Sequence, residues 1–170
     1  MNEITWTCKH FKDLTNEELY EIFHLRMAVF VVEQNCPYQD ADGKDLKGWH
    51  MMGISPSPAR PVRRTPFGVG GLPKGKGEIV AYARILPAGI SYHEPSIGRV
   101  ITSASARRTG AGKKLMEKSI EFIKKEFGKA PIRIGAQLYL KKFYESFGFV
   151  REGEEYLEDG IPHIIMLFTP

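Results

Sequence analysis

Apolar and polar residues alternate along this chain with two different periods, and each period predicts a kind of secondary structure. Residues 4–9 alternate as a strand with one buried face does. Residues 15–31 carry apolar side chains at helical spacing, after a Thr-x-x-Glu capping box. A strand is predicted before residue 55, and the β-rich runs Glu78–Leu86 and Ser96–Thr102 are predicted as consecutive strands joined by a turn.

The second half of the chain continues with the same two periods. A lysine-faced helix is predicted over residues 112–127, where Gly128 ends it, and a strand over residues 132–136. A short helix over 141–146 and two strands on either side of a turn at 159–160 complete the pattern. The predicted order is therefore β, α, β, β, β, α, β, α, β, β, which places the chain in the α/β (α+β) class.

Length and composition bound the kind of protein. At 170 residues and 42% hydrophobic, the chain is predicted to form a single domain over residues 1–170. Residues 55–77 are rich in proline, glycine and cations, and we interpret them as a long connection between two strands, with a mobile insertion, a lid or a hairpin as alternatives. The formal charge of +4 is spread along the sequence, so no nucleic-acid partner is expected.

The sequence also lacks the patterns of membrane, secreted and metal-binding proteins. The first residues have no basic region followed by an apolar stretch, and no apolar run approaches the roughly 20 residues that a membrane span requires. We therefore expect a cytoplasmic protein with no membrane partner. Cys8 and Cys36 are expected to be reduced thiols, and the histidines show no ligand spacing, so no metal is expected.

The segment most suggestive of chemistry is a cationic, glycine-bearing turn at residues 107–113 (RRTGAGK), directly before a predicted helix. A helix start has N–H groups without intrahelical partners and carries partial positive charge, while glycine lets an anion approach the main chain. A P-loop is excluded because Lys114 stands where the magnesium-binding hydroxyl belongs, and a dinucleotide fingerprint because Leu115 replaces its third glycine. The turn is therefore predicted to bind a phosphate group in a way that differs from both of these loops.

Four blocks of the sequence carry a family resemblance. The pattern Arg/Gln-x-x-Gly-x-Gly/Ala at residues 107–112 resembles the acyl-CoA pyrophosphate loop of the GNAT superfamily of N-acetyltransferases. Residues 137–149 (QLYLKKFYESFGF) resemble the GNAT segment in which a polar amide closes a strand and a helix ending in Leu/Phe-Tyr-x-x-x-Gly-Phe follows. Residues 30–40 and 158–164 narrow the resemblance to the ElaA-like subfamily, over nearly the whole chain.

This resemblance implies a single GNAT-type domain, with a central mixed twisted β-sheet of about six to seven strands flanked by helices. It also implies an acyl-CoA-dependent N-acyltransferase, with acetyl-CoA as the cosubstrate. The acetyl group would pass by direct attack to a primary amine of a small molecule or peptide. Similar proteins commonly dimerise, so a homodimer is possible.

The resemblance further implies where the cosubstrate binds. Its pyrophosphate would lie on the main-chain N–H groups of residues 109–113, and its pantetheine arm would pair with the main chain of residues 100–102. Gln137 stands where the family usually has asparagine, and it either contacts the pantetheine amide or caps its strand. The implied cofactor-binding residues are Val100, Ile101, Thr102, Arg107, Arg108, Thr109, Gly110, Ala111, Gly112, Lys113, Gln137 and Phe143. The commonest GNAT loop has glycine where Arg108 stands, which puts the local turn geometry in question.

Three residues are candidates for acid–base chemistry. Tyr144 matches the GNAT tyrosine whose hydroxyl faces the CoA sulfur, so it is the candidate general acid, with a purely structural aromatic as the alternative. An ammonium must lose a proton before it attacks, and Glu33 and His163 lie in the ElaA-like blocks and are the candidate bases. Glu33 could instead be a solvated carboxylate, and His163 a histidine whose hydrogen bonds are satisfied in its strand.

Several alternatives remain open from the sequence. The chain could be a non-catalytic acyl-CoA-binding or interaction module, or an acyltransferase whose donor is an acyl carrier protein. Two acidic loops could attract a cationic amine, or they could be solubilising turns. Their acidic residues are Asp40, Asp42, Asp45, Glu154, Glu155, Glu158 and Asp159.

Overall fold

The structure, a computed structural model, describes residues 3–56 and 77–170. Most of the predicted connection at 55–77 lies outside the described residues. The strands are β1 Thr5–His10, β2 Trp49–Ser55, β3 Glu78–Leu86, β4 Ser96–Thr102, β5 Ile132–Gln137, β6 Phe149–Glu158 and β7 Ile161–Phe168. The α-helices are α1 Asn16–Arg26, α2 Ala111–Phe127 and α3 Lys141–Glu145.

The described elements follow one another as the apolar pattern predicts. They form a seven-stranded sheet in the order β1-β2-β3-β4-β5-β7-β6. Strands β4 and β5 are parallel, whereas the other neighbouring strands are antiparallel. The predicted mixed sheet of six to seven strands with flanking helices is confirmed.

Helix α1 begins where the capping box predicts but changes its geometry earlier than expected. The amide of Glu18 donates to Thr15 Oγ1 at 3.2 Å, and the amide of Thr15 donates to Glu18 Oε2 at 2.9 Å. After Arg26 the chain continues as a π-helix over Met27–Glu33. The prediction of one helix to about residue 31 missed this change, because apolar spacing over two turns does not distinguish i→i−4 from i→i−5 bonding.

The main core lies between helix α2 and the sheet. Helix α2 buries Leu115, Met116, Ile120 and Ile123 against apolar side chains of the strands. Burying each such side chain contributes about 1.5–3 kcal/mol, so this face anchors the start of α2 firmly. No helix within the described part of the chain is long and apolar enough to cross a membrane.

The sheet opens at its one parallel junction. Strands β4 and β5 pair only at Ser96 and Arg133, close to where both strands begin. Beyond that pair they separate, so the rest of each strand has an edge that the other does not cover. An open edge inside a sheet exposes main-chain donors and acceptors that an extended ligand could satisfy.

A β-bulge in β4 lies at the same place. Strand β3 advances two residues from Tyr82 to Arg84, while its partner β4 advances three, from Ile101 back to Gly98. The extra residue is accommodated at Arg99, whose φ is +53°. Such bulges bend a strand and redirect its main chain, which here accompanies the separation from β5.

Candidate active site

A cavity of about 520 Å³ occupies the space where β4 and β5 separate. One wall is residues 98–102 of β4, and the facing wall comes from the end of β5 and from α3. The π-helical segment, the first residues of β7, the β3–β4 connection and the end of β6 are among the segments that line the other sides. The two predicted halves of the site, which are about forty residues apart in the sequence, therefore face one cavity.

The predicted site residues fall into three groups by position. All three candidate catalytic residues, Tyr144, His163 and Glu33, line the cavity. Five of the predicted cofactor residues line it as well: Val100, Ile101, Thr102, Arg107 and Gln137. The others form the turn and the start of α2, apart from Phe143, which packs against the main core.

The predicted phosphate-binding turn, residues 107–113, joins the cavity at the end of β4, where Thr102 and Arg107 line it. A Cβ built on Gly112 would lie 3.8 Å from Thr102 Cγ2 and 4.0 Å from the Phe143 ring. Gly110 stands at the helix start with φ +89°, and no side chain caps the helix there. The N–H groups of the first turn of α2 thus remain available for an anion. The Thr109 hydroxyl is already engaged, because it donates to the carbonyl of Ala106 at 2.7 Å.

The cations of this turn differ in how they are engaged. Arg107 donates two hydrogen bonds to the Glu33 carboxylate, at 2.6 and 2.8 Å, and a longer one to the carbonyl of Thr102. Arg108 and Lys113 make no ion pair with another described residue. Their charges are therefore the ones left to attract a phosphate, whereas Arg107 would first have to leave Glu33.

From the sequence, the conformation of this turn at Arg108 stayed in question. In the structure, Arg108 has a positive φ of +62°. A left-handed backbone costs an L-residue roughly 1–2 kcal/mol, and glycine adopts it readily. The position thus keeps the conformation that suits glycine although an arginine occupies it.

Replacing Arg108 with glycine is expected to raise the free energy of unfolding by about 0.5–1 kcal/mol, because relief of strain outweighs the added freedom of the unfolded chain. Urea denaturation measures the change. Lys113→Gly is the matched control, since it makes the same loss of charge at a helical φ and should lower stability by about 1 kcal/mol. Changes of the same sign in both variants would refute this account of the turn.

Tyr144 is held with its ring in the core and its hydroxyl at the cavity. Its side chain is only 6% exposed, and the ring packs edge-on against Phe143 and Phe149. No described residue makes a hydrogen bond to the Tyr144 hydroxyl, which lies on the cavity wall. Burial raises the pKa of Tyr144 well above its usual range, so the phenol is protonated at neutral pH and has a proton to donate.

The two candidate bases are placed very differently. Arg107 lowers the pKa of Glu33 through their hydrogen bonds, and this makes the carboxylate a poorer proton acceptor. His163 Nδ1 lies 2.8 Å from the carbonyl oxygen of Ile161, so Nδ1 must be the donor when the ring is neutral. Nε2 then carries the lone pair that can accept a proton, and because His163 lines the cavity the arrangement favours His163 over Glu33 as base.

Gln137 ends β5 at the cavity wall. Its Nε2 donates to Gln34 Oε1 at 3.4 Å, which links the end of β5 to the residue that follows the π-helical segment. Gln34 lines the cavity too. The long bond leaves both amides able to turn towards a ligand amide.

A buried network of charges supports the β4 wall, and the sequence did not predict it. Arg26, whose side chain is 0% exposed, donates to Asp40 Oδ2 at 2.6 Å and to Asp45 Oδ1 at 2.7 Å. Arg99 donates to Asp40 Oδ1 at 2.7 Å, so Asp40 joins α1 to the bulge of β4. The bond to Asp40 therefore holds Arg99, the bulge residue with the positive φ, in place.

Arg84 completes the network by holding Asp42 with two hydrogen bonds, at 2.7 and 2.8 Å. Burial alone would raise the pKa of Asp42, but its hydrogen bonds with Arg84 outweigh burial and keep that pKa at about 2. Arginines already neutralise Asp40, Asp42 and Asp45. These carboxylates therefore neither attract a cationic amine nor serve mainly to make a surface turn soluble. Glu154 and Glu155 pair with the partly exposed Arg151, and neither of them lines the cavity.

Comparisons with known proteins match a family model to just over half of the chain and several relatives to nearly all of it. The family model described as "Acetyltransferase (GNAT) domain" matches residues 74–169. Protein ElaA of Escherichia coli K12 is 42% identical over 165 residues, which cover 96% of this chain and 95% of that protein. The crystal structure of Escherichia coli ElaA matches with a TM-score of 0.81 and 40% identity, covering 97% of this chain and 99% of that one. The crystal structure of an acyl-CoA N-acyltransferase from Pseudomonas aeruginosa matches with a TM-score of 0.83 and 38% identity, covering 98% and 100%.

Proposed function

This chain belongs to the GNAT family of acetyltransferases, and from that premise we propose that it transfers an acetyl group from acetyl-CoA to a primary amine of a small molecule or peptide. The observation that carries the proposal is the separation of β4 from β5 after their single pair at Ser96 and Arg133. It leaves main-chain groups of residues 98–102 facing a cavity that runs from the phosphate-binding turn to Tyr144. A pantetheine arm, which carries two amides, is an extended ligand of the kind that such an edge can pair with.

The cosubstrate is held by main-chain groups and surface cations. The pyrophosphate lies on the N–H groups of residues 109–113, with Arg108 and Lys113 supplying unpaired positive charge. The arm follows Val100, Ile101 and Thr102, and a main-chain N–H next to the bulge polarises the thioester carbonyl. Donors fixed before the reaction begins need no reorganisation as negative charge develops on that oxygen.

The reaction is a direct transfer. The amine nitrogen attacks the thioester carbonyl carbon, and the carbon–sulfur bond breaks as the carbonyl re-forms. Nε2 of His163 accepts the proton that the amine loses, and the Tyr144 hydroxyl gives a proton to the departing CoA thiolate. Burial in the core favours the neutral phenol, so Tyr144 regains its proton from solvent between turnovers.

Thermal denaturation with acetyl-CoA tests the cosubstrate. At a hundredfold excess over Kd, a ligand adds about 2.7 kcal/mol of stability, which is roughly 5–10 °C in Tm for a domain of this size. Wild type should show that shift with acetyl-CoA but not with NAD or ADP at the same concentration. Gly110→Asp should lose most of it, because the carboxylate lies where the pyrophosphate approaches.

Gly110→Asn is the matched control for Gly110→Asp. Both side chains have open space at this position and both meet the same φ of +89°, so they differ only in charge. Equal shifts in the two variants would place the phosphate elsewhere. If acetyl-CoA at millimolar concentration does not stabilise wild type, the acetyl-CoA donor is wrong, and a carrier-protein donor or a non-catalytic role takes its place.

A further inference from the structure

The part of the cavity wall that the proposed cosubstrate does not use has a distinct chemistry. Away from β4 and the phosphate-binding turn, the wall includes Tyr92, Gly135 and Glu158. Tyr92 comes from the β3–β4 connection, Gly135 from the middle of β5, and Glu158 from the end of β6. Three separate elements therefore meet at this end of the cavity.

Two phenol oxygens lie over the main chain of Gly135. A Cβ built on Gly135 would come within 2.8 Å of the Tyr156 hydroxyl oxygen and 3.2 Å of the Tyr92 hydroxyl oxygen. Any other residue would displace at least one of these hydroxyls, so glycine is what allows both to occupy this place. An isolated glycine inside a strand often marks such a close approach.

The Glu158 carboxylate lies beside the two phenols. Burial raises the pKa of Tyr156 to about 12, and Tyr92 and Glu158 add to that effect. Burial also raises the pKa of Tyr92, again with a contribution from Glu158. The phenols are thus neutral at physiological pH, and they place hydroxyl oxygens next to an acidic side chain. His163 packs against Tyr156 with ring centroids 5.7 Å apart, which connects this cluster to the proposed base.

The charges along the cavity leave Glu158 uncompensated. Glu33 is paired with Arg107, and Asp42 is paired with Arg84. Glu158 and its neighbour Asp159 form no ion pair with another described residue. The ammonium of Lys44, which also lines the cavity, donates to the Ser91 hydroxyl at 3.1 Å.

From this placement we infer that Tyr92, Tyr156 and Glu158 bind a second positively charged amino group of the acceptor, so that the preferred acceptor is an aliphatic diamine. The inference rests on the proposed function, because it assigns the second amine of the substrate whose first amine is acetylated. A carboxylate beside two phenol oxygens offers an ammonium one ion pair and further hydrogen bonds. A neutral monoamine tail of the same length would leave those groups without a partner.

Steady-state kinetics with 1,5-diaminopentane and 1-aminopentane test the inference. Wild type should have a kcat/KM at least tenfold higher for the diamine. Glu158→Gln should lower kcat/KM for the diamine by about 10–100-fold, mainly through KM, because it removes a charge-assisted hydrogen bond. The same variant should change kcat/KM for the monoamine less than twofold.

Glu155→Gln is the matched control, since it is the same substitution on the same strand at a residue that pairs with Arg151 outside the cavity. Glu155→Gln should leave kcat/KM unchanged for both the diamine and the monoamine. Equal kcat/KM for the two amines in wild type, or an equal loss for both in Glu158→Gln, would overturn the inference.

Calorimetric titration of 1,5-diaminopentane into the CoA-saturated protein separates this inference from the proposed function. Binding that is weakened about tenfold or more by Glu158→Gln supports the diamine site, even if the acyl donor is something other than acetyl-CoA. Absence of binding to wild type refutes the diamine site, while stabilisation by acetyl-CoA would still support the proposed transferase. The acetyl-CoA shift itself should be the same in wild type and Glu158→Gln.

Discussion

Replacing Tyr144 with phenylalanine is expected to lower kcat by about 10²–10⁴-fold, because the departing CoA thiolate loses its proton donor. The ring would keep its contacts with Phe143 and Phe149, since only the hydroxyl is removed. No described residue is bonded to that hydroxyl, so stability should change by less than about 1 kcal/mol. Acetylation kinetics at saturating amine measure kcat. Thermal denaturation with and without acetyl-CoA measures stability and cosubstrate binding.

Tyr139→Phe provides the control for Tyr144→Phe. Tyr139 also lines the cavity, but its side chain is 71% exposed and it belongs to the turn before α3. Its kcat should stay within about threefold of wild type, since it has no proposed role in proton transfer. If Tyr144→Phe retains full kcat while it binds acetyl-CoA normally, the leaving thiolate takes its proton from water, and the general-acid role is wrong.

The second large effect is expected in the buried charge network. Arg26→Met should lower the free energy of unfolding by about 3–5 kcal/mol, because the buried Asp40 and Asp45 would lose their shared partner and keep only Arg99 and Arg84, respectively, among the described ion-pair partners. For a domain of this length that loss corresponds to a fall in Tm of roughly 6–20 °C. Urea denaturation and thermal scanning would measure it.

Arg151→Met is the comparison for Arg26→Met. Arg151 pairs with Glu154 and Glu155 at the surface of β6, and exposed pairs of this kind contribute only about 0–1 kcal/mol. The free energy of unfolding of Arg151→Met should therefore stay close to that of wild type. Losses of similar size in the two variants would mean that burial does not set the strength of the Arg26 network.

The network also connects stability to the proposed reaction. Asp40 receives hydrogen bonds from both Arg26 and Arg99, and Arg99 is the residue whose positive φ forms the bulge in β4. The main chain that would polarise the thioester carbonyl follows directly at Val100. The charges are thus placed to hold that part of β4 in one conformation, at a position where a positive φ would otherwise be unfavourable for arginine.

Local features of the fold could be read from the sequence because their causes are local. The Thr15 and Glu18 caps, the glycine that ends α2 and the turn at 159–160 each depend on residues a few positions apart. The order of the strands and helices followed from apolar periodicity for the same reason. The limit of that method is visible at Met27–Glu33, where the period is helical but the hydrogen bonding is that of a π-helix.

The candidate site was predictable only as separate pieces. Residues 107–113 and Tyr144 could be proposed because each lies in a short pattern with a mechanical purpose. The partners that decide their chemistry are far away along the chain: Arg107 and Glu33 are separated by 74 residues, and Arg99 and Asp40 by 59. Nothing in the local pattern marks Arg107 as already paired, or Glu33 as a weakened base.

The sequence by itself determined the class of fold and the order of elements, and it predicted an anion-binding turn and a candidate acid, because periodicity, capping and turn chemistry act over a few residues. Tertiary structure alone decided which charges are neutralised, where the sheet opens, and which side chains meet over Gly135. Those outcomes depend on burial and on electrostatic contacts between distant segments. The energies of such contacts are fixed only once folding has brought the segments together and removed water from between them.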